Sequence, residues 1–153
     1  MHTAAVEQTV HASLIITTHR SIRLRVTLRY RPEDPLAVRM AFPAEFSLDE
    51  PAAGPAPACG GDGEGGGQDI EWVFARQLLT AGLELPAGVG DVHIRPALGR
   101  RTMVELRAPE GTALLQFDTT DLRRFLWRSR LLVPEGEEHL HLDADRALAE
   151  LLG

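Results

Sequence analysis

Alternating apolar and polar positions near the start of the chain predict a β-hairpin. Five apolar residues recur at every second position from Ile22 to Tyr30, and arginines and a threonine fill the positions between them. This period of two places apolar side chains on one face of a strand and polar ones on the other. A weaker alternation from Val10 to Ile16 indicates a preceding strand, and a short polar stretch connects the two. Residues 6–30 are therefore predicted to form two paired strands.

The middle of the chain contains further strand-like runs bounded by proline or glycine. The predicted strands are 36–42, 70–74, 91–96, 102–107 and 112–116. A short helix is predicted from Ala75 to Ala81, ended by Gly82 in the left-handed conformation that glycine adopts easily. The glycines and prolines between the later runs suit antiparallel turns.

The chain changes from strand to helical spacing after residue 118. From Thr119 to Arg130, one helical face carries Leu122, Phe125, Leu126 and Ser129. Thr119 is expected to cap this helix, with Asp121 in its first turn. A final helix is predicted at 143–152. Strands first and helices late predict an α+β protein with an antiparallel sheet.

The stretch from Ser47 to Asp69 follows neither pattern. It is rich in proline and glycine, including the run Gly60–Gly67. Its apolar content is too low to offset the entropy of ordering the chain. We interpret residues 47–69 as a flexible insertion within a single domain of residues 1–153, because neither flank could bury a core alone.

Composition limits the possible classes of function. The 153 residues carry a formal net charge of −6, and all 16 basic residues are arginine. This balance disfavours a protein whose main role is to bind phosphate groups. The single cysteine, Cys59, excludes an intrachain disulfide. Without a signal-peptide pattern or an apolar run approaching about 18 residues, the chain is expected to be cytoplasmic, with no membrane span.

The familiar catalytic patterns are absent from the sequence. There is no Gly-x-Ser-x-Gly motif, and Cys59 has no cationic neighbour in sequence that would activate a thiol nucleophile. The run Gly60–Gly67 lacks the Lys-Ser/Thr ending of a phosphate-binding loop. The segment 88–91 resembles part of a dinucleotide-binding fingerprint, but no third glycine opens a helix after it. We therefore expect no catalytic residues and no cofactor.

One segment near the C-terminus has the residue types of a metal site. In an extended chain, Glu137, His139, His141 and Asp143 would face one way. Two imidazoles and a carboxylate on one face could bind a divalent metal, so His139, His141 and Asp143 are candidate ligands. The preferred interpretation is an edge strand with its polar face in water, ending at an aspartate that caps the last helix.

Two arginine-rich faces raise a nucleic-acid alternative. They comprise Arg23, Arg25 and Arg29 on a strand and Arg123, Arg124, Arg128 and Arg130 on a helix. Binding of single-stranded nucleic acid requires cations interleaved with exposed aromatic rings. Only 5% of the residues are aromatic, and most lie at predicted core positions. A solvated or ion-paired face is favoured, and single-stranded nucleic-acid binding remains the alternative function.

A distinctive series of motifs provides a further indication. The string Glu-Trp-Val-Phe-Ala-Arg-Gln-Leu-Leu occupies Glu71–Leu79, and Gly-Val-Gly-Asp-Val occupies Gly88–Val92. Other matching motifs are Leu28–Tyr30, Asp34–Val38, Gly82–Leu83, Pro96, Pro109–Gly111, Val133–Pro134, Glu138–His139 and Asp143. Together they resemble the SsgA-like proteins, the sporulation and septation regulators of actinomycetes, over most of residues 14–152.

The resemblance implies a fold and a function. The expected fold is α+β, with two antiparallel sheets, short helices and a helical C-terminal third, similar to the Whirly proteins. The expected function is non-enzymatic control of sporulation-specific division by a homotrimer. Members of the best understood branch recruit the tubulin-like GTPase FtsZ to future septa, assisted by a sister SsgA-like protein. The implied location is cytoplasmic, at division septa. The DNA binding of Whirly proteins is not carried over, because the chain is acidic.

The motif residues are expected to support the fold or a subunit interface. Trp72 and Phe74 would share one face of a strand, with Val73 opposite, and large aromatic side chains usually anchor a core or an interface. Arg76 would open the following helix and pair with an acidic neighbour. Gly90 and Asp91 would form part of a turn. Support of the fold and oligomer is favoured over direct contact with a partner.

Overall fold

The computed structural model describes residues 5–43 and 69–140. This part of the chain contains eight strands and two helices, and residues 138–140 are also helical. In chain order the elements are β1 (Val6–Thr17), β2 (Arg20–Tyr30), β3 (Ala37–Pro43), β4 (Asp69–Ala75), α1 (Arg76–Gly82), β5 (Ala87–Val89), β6 (Val92–Ala97), β7 (Arg101–Ala108), β8 (Gly111–Asp118) and α2 (Thr119–Leu132).

The described strands form one antiparallel sheet in the order β4-β3-β2-β1-β8-β7-β6-β5. Strand β1 lies near the centre, paired with β2 along most of its length and with β8 through Ala12, Ser13 and Leu14. The expected Whirly-like arrangement of two sheets is wrong. Because β1 uses both of its edges, it joins the N-terminal strands and the later hairpins into a single sheet.

The expected helical C-terminal third is also wrong. Strands β7 and β8 extend as far as Asp118, and α2 follows them directly. The predicted helix at 143–152 lies outside the described residues. The predicted insertion at 47–69 does so too, apart from Asp69, which begins β4. The single-domain assignment to residues 1–153 stays a prediction.

The sheet is curled around α1. This helix has seven residues, so it is only about 10 Å long. It nevertheless contacts β4 at one edge of the sheet and β5 and β6 at the other. The two edges must therefore approach each other, with α1 between them. Sequence periodicity could not predict this arrangement, and β5, with three residues, was missed altogether.

Strand and helix faces are buried as the sequence pattern predicts. In β2, Leu24, Val26, Leu28 and Tyr30 are buried, and the residues between them are exposed or partly exposed. Helix α2 buries its predicted face of Leu122, Phe125, Leu126 and Ser129, and it contacts β1 and β8. Burial of each large apolar side chain stabilises the fold by about 1.5–3 kcal/mol. Among the described residues, no helix is long and apolar enough to span a membrane.

The start of α2 and the end of α1 differ in detail from the ends predicted from the sequence. The N-cap of α2 is Asp118 rather than Thr119, and its carboxylate accepts a hydrogen bond from the backbone N–H of Thr120 at 2.9 Å. Asp121 lies in the first turn, as predicted. Gly82 is the last helical residue of α1 and does not adopt the left-handed conformation. It is small for another reason: a Cβ there would lie 2.5 Å from Ile94 of β6.

The close approach of α1 to β6 generates a stability prediction. Gly82→Ala is expected to destabilise the fold by about 1–3 kcal/mol, because the added methyl group must push against Ile94 in a packed core. Ala81→Ser is the matched control, since Ala81 is exposed on the same helix and should change stability by about 0.5 kcal/mol or less. Urea unfolding measures both. Equal stability of the two variants would contradict the packing argument.

Candidate interaction surfaces

The buried side chain of Arg76 connects distant parts of the chain. It is 1% exposed and opens α1, directly after the edge strand β4. Its guanidinium donates hydrogen bonds to the Ser129 hydroxyl at 3.1 Å and to the Glu138 carboxylate at 2.6 Å. Its backbone N–H donates to the Leu36 carbonyl at 2.8 Å. The prediction that Arg76 pairs with an acidic group is thus confirmed, with a partner 62 positions later in the chain.

The ring of Tyr30 packs against this guanidinium. The Arg76 Cζ atom lies 4.7 Å from the centre of the Tyr30 ring, a cation–π arrangement. Burial raises the pKa of Tyr30 to about 12, against the opposing attraction of Arg76. The phenol therefore stays neutral and donates a hydrogen bond of 2.9 Å to the Pro35 carbonyl. This bond fixes the turn between β2 and β3 against the Arg76 cluster.

Glu138 supplies the negative charge of the cluster. The pKa of Glu138 lies below its ordinary value. Partial burial acts to raise this pKa, but hydrogen bonds from Arg76 and backbone N–H groups, together with the charge of Arg76, lower it by more. The second carboxylate oxygen accepts a bond of 2.9 Å from the Gly136 backbone N–H. Arg76, Tyr30, Ser129 and Glu138 are called the Arg76 cluster below.

Sequence reasoning identified only part of the Arg76 cluster. Arg76 was found through the resemblance, whereas Tyr30 and Ser129 were placed on buried faces without a polar role. A signal was available for Ser129, because a serine on the apolar side of a predicted helix needs a hydrogen-bond partner. Its hydroxyl both accepts from Arg76 and donates to the Leu126 carbonyl at 2.7 Å.

Most of the other motif residues meet at a cleft of about 260 Å³. It lies where β4, the edge strand, faces the start of β6, and it is lined by Trp72, Val73, Phe74, Ala75, Leu78, Asp91 and Val92. Phe74 is buried and Trp72 is partly buried, whereas Val73 is 49% exposed on the other face of the strand. The motif residues thus line the region where the two sheet edges converge.

Gly90 and Asp91 form the turn between β5 and β6 at one side of this cleft. Gly90 has a φ of 62°, which favours glycine, and its carbonyl lies 3.2 Å from the His93 ring. The Asp91 carbonyl accepts a hydrogen bond of 2.9 Å from the Arg107 backbone N–H. The sequence favours a loop at 88–91, and this is wrong for Gly88 and Val89, which lie in β5; Gly90 and Asp91 form the turn.

The predicted metal ligands are not brought together on an extended strand. Residues 138–140 are helical, so the alternation proposed for this segment is wrong there. His139 is exposed, whereas Glu138 points its carboxylate at Arg76. His141 and Asp143 lie outside the described residues. Within the described part of the chain, no group of three or more His, Cys, Asp or Glu side chains is placed to hold a metal ion.

Arginines on the strand face are exposed or ion-paired. Arg23 and Arg25 are exposed, and Arg29 lies 3.5 Å from the Glu7 carboxylate and 3.8 Å from that of Glu71. Glu71 also lies 3.5 Å from Arg39. Carboxylates therefore offset part of the positive charge on this face, which agrees with the preferred interpretation of the sequence.

Arginines on α2 serve several purposes. Arg128 donates to the Gln8 side chain at 3.0 Å, and so joins α2 to β1. Arg123 and Arg130 pair with Glu84 and Glu135, at 3.2 and 3.1 Å. Arg124 is exposed and makes no ion pair within the described residues. Beside it on the outer face lie two exposed apolar side chains, Trp127 and Leu131.

The burial of Arg76 generates a second prediction. Arg76→Met is expected to cost about 3 kcal/mol of stability, because it leaves the partly buried Glu138 carboxylate without its counter-charge. Arg107→Met is the matched control: Arg107 is half-exposed, with a 3.2 Å contact to Glu105, and should cost about 1 kcal/mol or less. Chemical denaturation compares the two. A loss for Arg76→Met no larger than the control would contradict a structural role.

The lowered pKa of Glu138 generates a third prediction. Ionised Glu138 stabilises the fold fully above its unfolded pKa of about 4.3, and this contribution is lost as the pH falls through the lower folded value. The stability difference between the parent and Glu138→Gln should therefore be largest at neutral pH and shrink in acid. Urea unfolding across this range measures it. Glu137→Gln, at an exposed position, is the control, and a difference independent of pH would count against the pair.

Comparison with known proteins identifies the family of this chain. Residues 24–138 match the family described as Streptomyces sporulation and cell division protein, SsgA. The sporulation-specific cell division protein SsgB of Kineococcus radiotolerans is 37% identical over 157 residues, covering 93% of this chain and 82% of that protein. SsgB of Streptomyces coelicolor is 34% identical, covering 94% of this chain and 92% of that protein.

Solved structures agree with these matches. A structure from a study of SsgB mutations and longitudinal cell division during sporulation of Streptomyces coelicolor has a TM-score of 0.72 and 32% identity, covering 91% of this chain and 96% of that one. An SsgA-like sporulation-specific cell division protein from Thermobifida fusca has a TM-score of 0.76 and 30% identity, covering 97% and 96%. The chain belongs to the SsgA family of sporulation and cell division proteins.

Proposed function

We propose that this protein is a non-enzymatic regulator of sporulation-specific cell division that docks other division proteins. Its first partner is FtsZ, which it recruits to future septa, and a sister SsgA-like protein assists. The working form is a homotrimer, located in the cytoplasm at division septa. In this role the protein supplies binding surfaces and no chemical step.

The observation that carries this proposal is the near full-length correspondence with proteins named for sporulation-specific cell division. The correspondence spans both the Arg76 cluster and the cleft at β4, so it covers the parts of the fold that shape the surface. The family is described by a role in sporulation and division rather than by a reaction.

The polar chemistry of the structure supports a binding role. Among the described residues, the most deeply buried charge is on Arg76, which is neutralised by Glu138 and held by Ser129 and Tyr30. A guanidinium held by these contacts stabilises the fold and is not placed to transfer a proton. Exposed apolar side chains on α2 and at Val73 instead offer the kind of contact area that protein partners use.

The contacts made by the arginines weaken the nucleic-acid alternative. Arg29, Arg123 and Arg130 already face carboxylates, and Arg128 is bound to Gln8. Affinity for nucleic acid grows with the number of phosphates that are neutralised, so engaged arginines contribute little. Of the two tryptophans, Trp72 is partly buried in the cleft and Trp127 is exposed on α2, so one indole is available for stacking, whereas binders of single strands stack successive bases on several rings.

A direct binding measurement tests the proposal. The purified chain and FtsZ from the same organism are expected to associate in a saturable, concentration-dependent manner by biolayer interferometry. An acidic protein of similar size that is unrelated to division serves as the control for nonspecific binding. Sedimentation velocity should give a mass corresponding to three chains of 16.8 kDa. Absence of FtsZ binding would contradict the recruiting role, and a monomer would contradict the proposed homotrimer.

Imaging separates recruitment from a later role. A fluorescent fusion in sporulating cells should form septal ladders before the FtsZ ring assembles, because a recruiting protein must arrive first. Ladders that appear only after the ring would place the protein downstream of FtsZ, and diffuse signal throughout sporulation would contradict a septal location.

A further inference from the structure

We propose that the outer face of α2 is a docking surface for an acidic amphipathic helix of a partner protein. This inference rests on the proposed function, in which the chain docks other proteins, and it names the surface and the chemistry of what binds there. The face consists of Thr120, Arg124, Trp127 and Leu131, and it is called the α2 face below.

The spacing of the α2 face is that of a helix-pairing surface. All four side chains are exposed, and they recur at intervals of four, three and four residues. This alternation of three and four is the spacing by which one helix presents a continuous seam to another. The face extends over 12 residues from Thr120 to Leu131, a rise of about 16 Å, which suits roughly three turns of a partner helix.

Two large apolar side chains lie at the C-terminal half of this seam. Trp127 is 59% exposed and Leu131 is 65% exposed, one helical turn apart. The opposite side of α2 is buried in the core, so this exposure is not needed for the fold. Tryptophan is among the residues that contribute most to protein interfaces when it is covered by a partner.

The charge of α2 indicates an acidic partner. The helix carries four arginines and one aspartate. Arg123 and Arg130 already pair with Glu84 and Glu135, and Arg128 with Gln8, so Arg124 is the helix arginine without a partner among the described residues. Arg124 lies on the seam itself, and Arg123 stands beside it. A second copy of α2 would bring like charges together, so self-pairing through this face is disfavoured. A helix with glutamate or aspartate flanking its apolar seam would complement it.

Acidic residues near both ends of α2 distinguish a protein partner from an anionic membrane or nucleic acid. Glu84 pairs with Arg123 in the first half of the helix, and Glu135 pairs with Arg130 in its last turn. Both carboxylates are substantially exposed, so a broad anionic surface would meet them as well as the arginines. A narrow acidic helix along the seam can contact Arg124 between them.

The α2 face is held in place by contacts on its other sides. Asp118 caps the helix, and Ser129 is bound in the Arg76 cluster. The Gln8 side chain of β1 contacts α2 at two positions along the helix. Gln8 donates to the Asp121 carbonyl at 2.9 Å and accepts from Arg128 at 3.0 Å. A surface fixed before binding loses less conformational entropy when its partner docks.

Intrinsic fluorescence provides a direct test, because the chain has only two tryptophans. In the full-length Trp72→Phe variant, Trp127 is the sole source of tryptophan emission. The test ligand is a synthetic helical peptide with leucines at three-four spacing and glutamate at the flanking positions. Its binding should shift the Trp127 emission to shorter wavelength as the indole leaves water. A peptide with the same leucines but lysine in place of glutamate should bind at least about tenfold more weakly.

Matched variants locate the binding surface. In the same background, Leu131→Ser and Arg124→Glu should each weaken binding of the acidic peptide at least about tenfold. Ile16→Ser, in β1, and Arg20→Glu, in β2, make comparable chemical changes at exposed positions beside the β1–β2 turn. That turn lies nine residues beyond Gln8 along β1, so it is roughly 30 Å from the point where Gln8 contacts α2. These control substitutions should therefore leave peptide binding unchanged. Equal losses in both pairs would overturn the assignment.

Binding of other ligands and of FtsZ provides the remaining measurements. Tighter binding to phosphatidylglycerol-containing vesicles or to single-stranded oligo-dT than to the acidic peptide would overturn the proposal. So would a lower oligomeric state in Leu131→Ser, which would make the face a contact between copies. If FtsZ fails to bind the parent chain while the peptide results hold, the FtsZ role fails and the docking surface stands. If FtsZ binds the parent chain while the acidic peptide fails to bind it, the surface fails and the recruiting role stands.

Discussion

The guanidinium of Arg76 needs partners because burial of an unpaired charge is among the largest single costs in a protein interior. Its contacts come from Tyr30 at the end of β2, Ser129 in α2 and Glu138 in the segment after α2. Each contact constrains one more part of the chain. The position of α1 between the sheet edges, the packing of α2 and the path of the segment up to residue 140 are therefore linked through one side chain.

This linkage gives the residues of the family motif a structural role in the fold. Trp72 and Phe74 turn toward the cleft and the core, and Arg76 is buried beyond them. The motif therefore describes how an edge strand passes into a helix within a curled sheet. The α2 face, in contrast, lies outside the motif and is built from side chains that the core does not need.

Local periodicity was sufficient to predict most elements, because burial of one face imposes it directly on the sequence. The alternation in β2 and the apolar face of α2 are both present as predicted. It was insufficient for the arrangement of those elements, which depends on pairing between residues far apart, such as Ala12 with Phe117. The same limit applied to Glu138, because the need for a counter-charge at Arg76 arises only after the sheet has curled.

The order of synthesis gives the Arg76–Glu138 pair a further consequence. A ribosome delivers Arg76 long before Glu138, which follows 62 positions later. Until that carboxylate emerges, burial of the guanidinium would leave its charge uncompensated, so the nascent chain cannot settle α1 into its final position. Completion of this fold is thus delayed until the segment after α2 has been synthesised, and a ribosome that stalls before Glu138 leaves a chain that cannot fix α1 between the sheet edges.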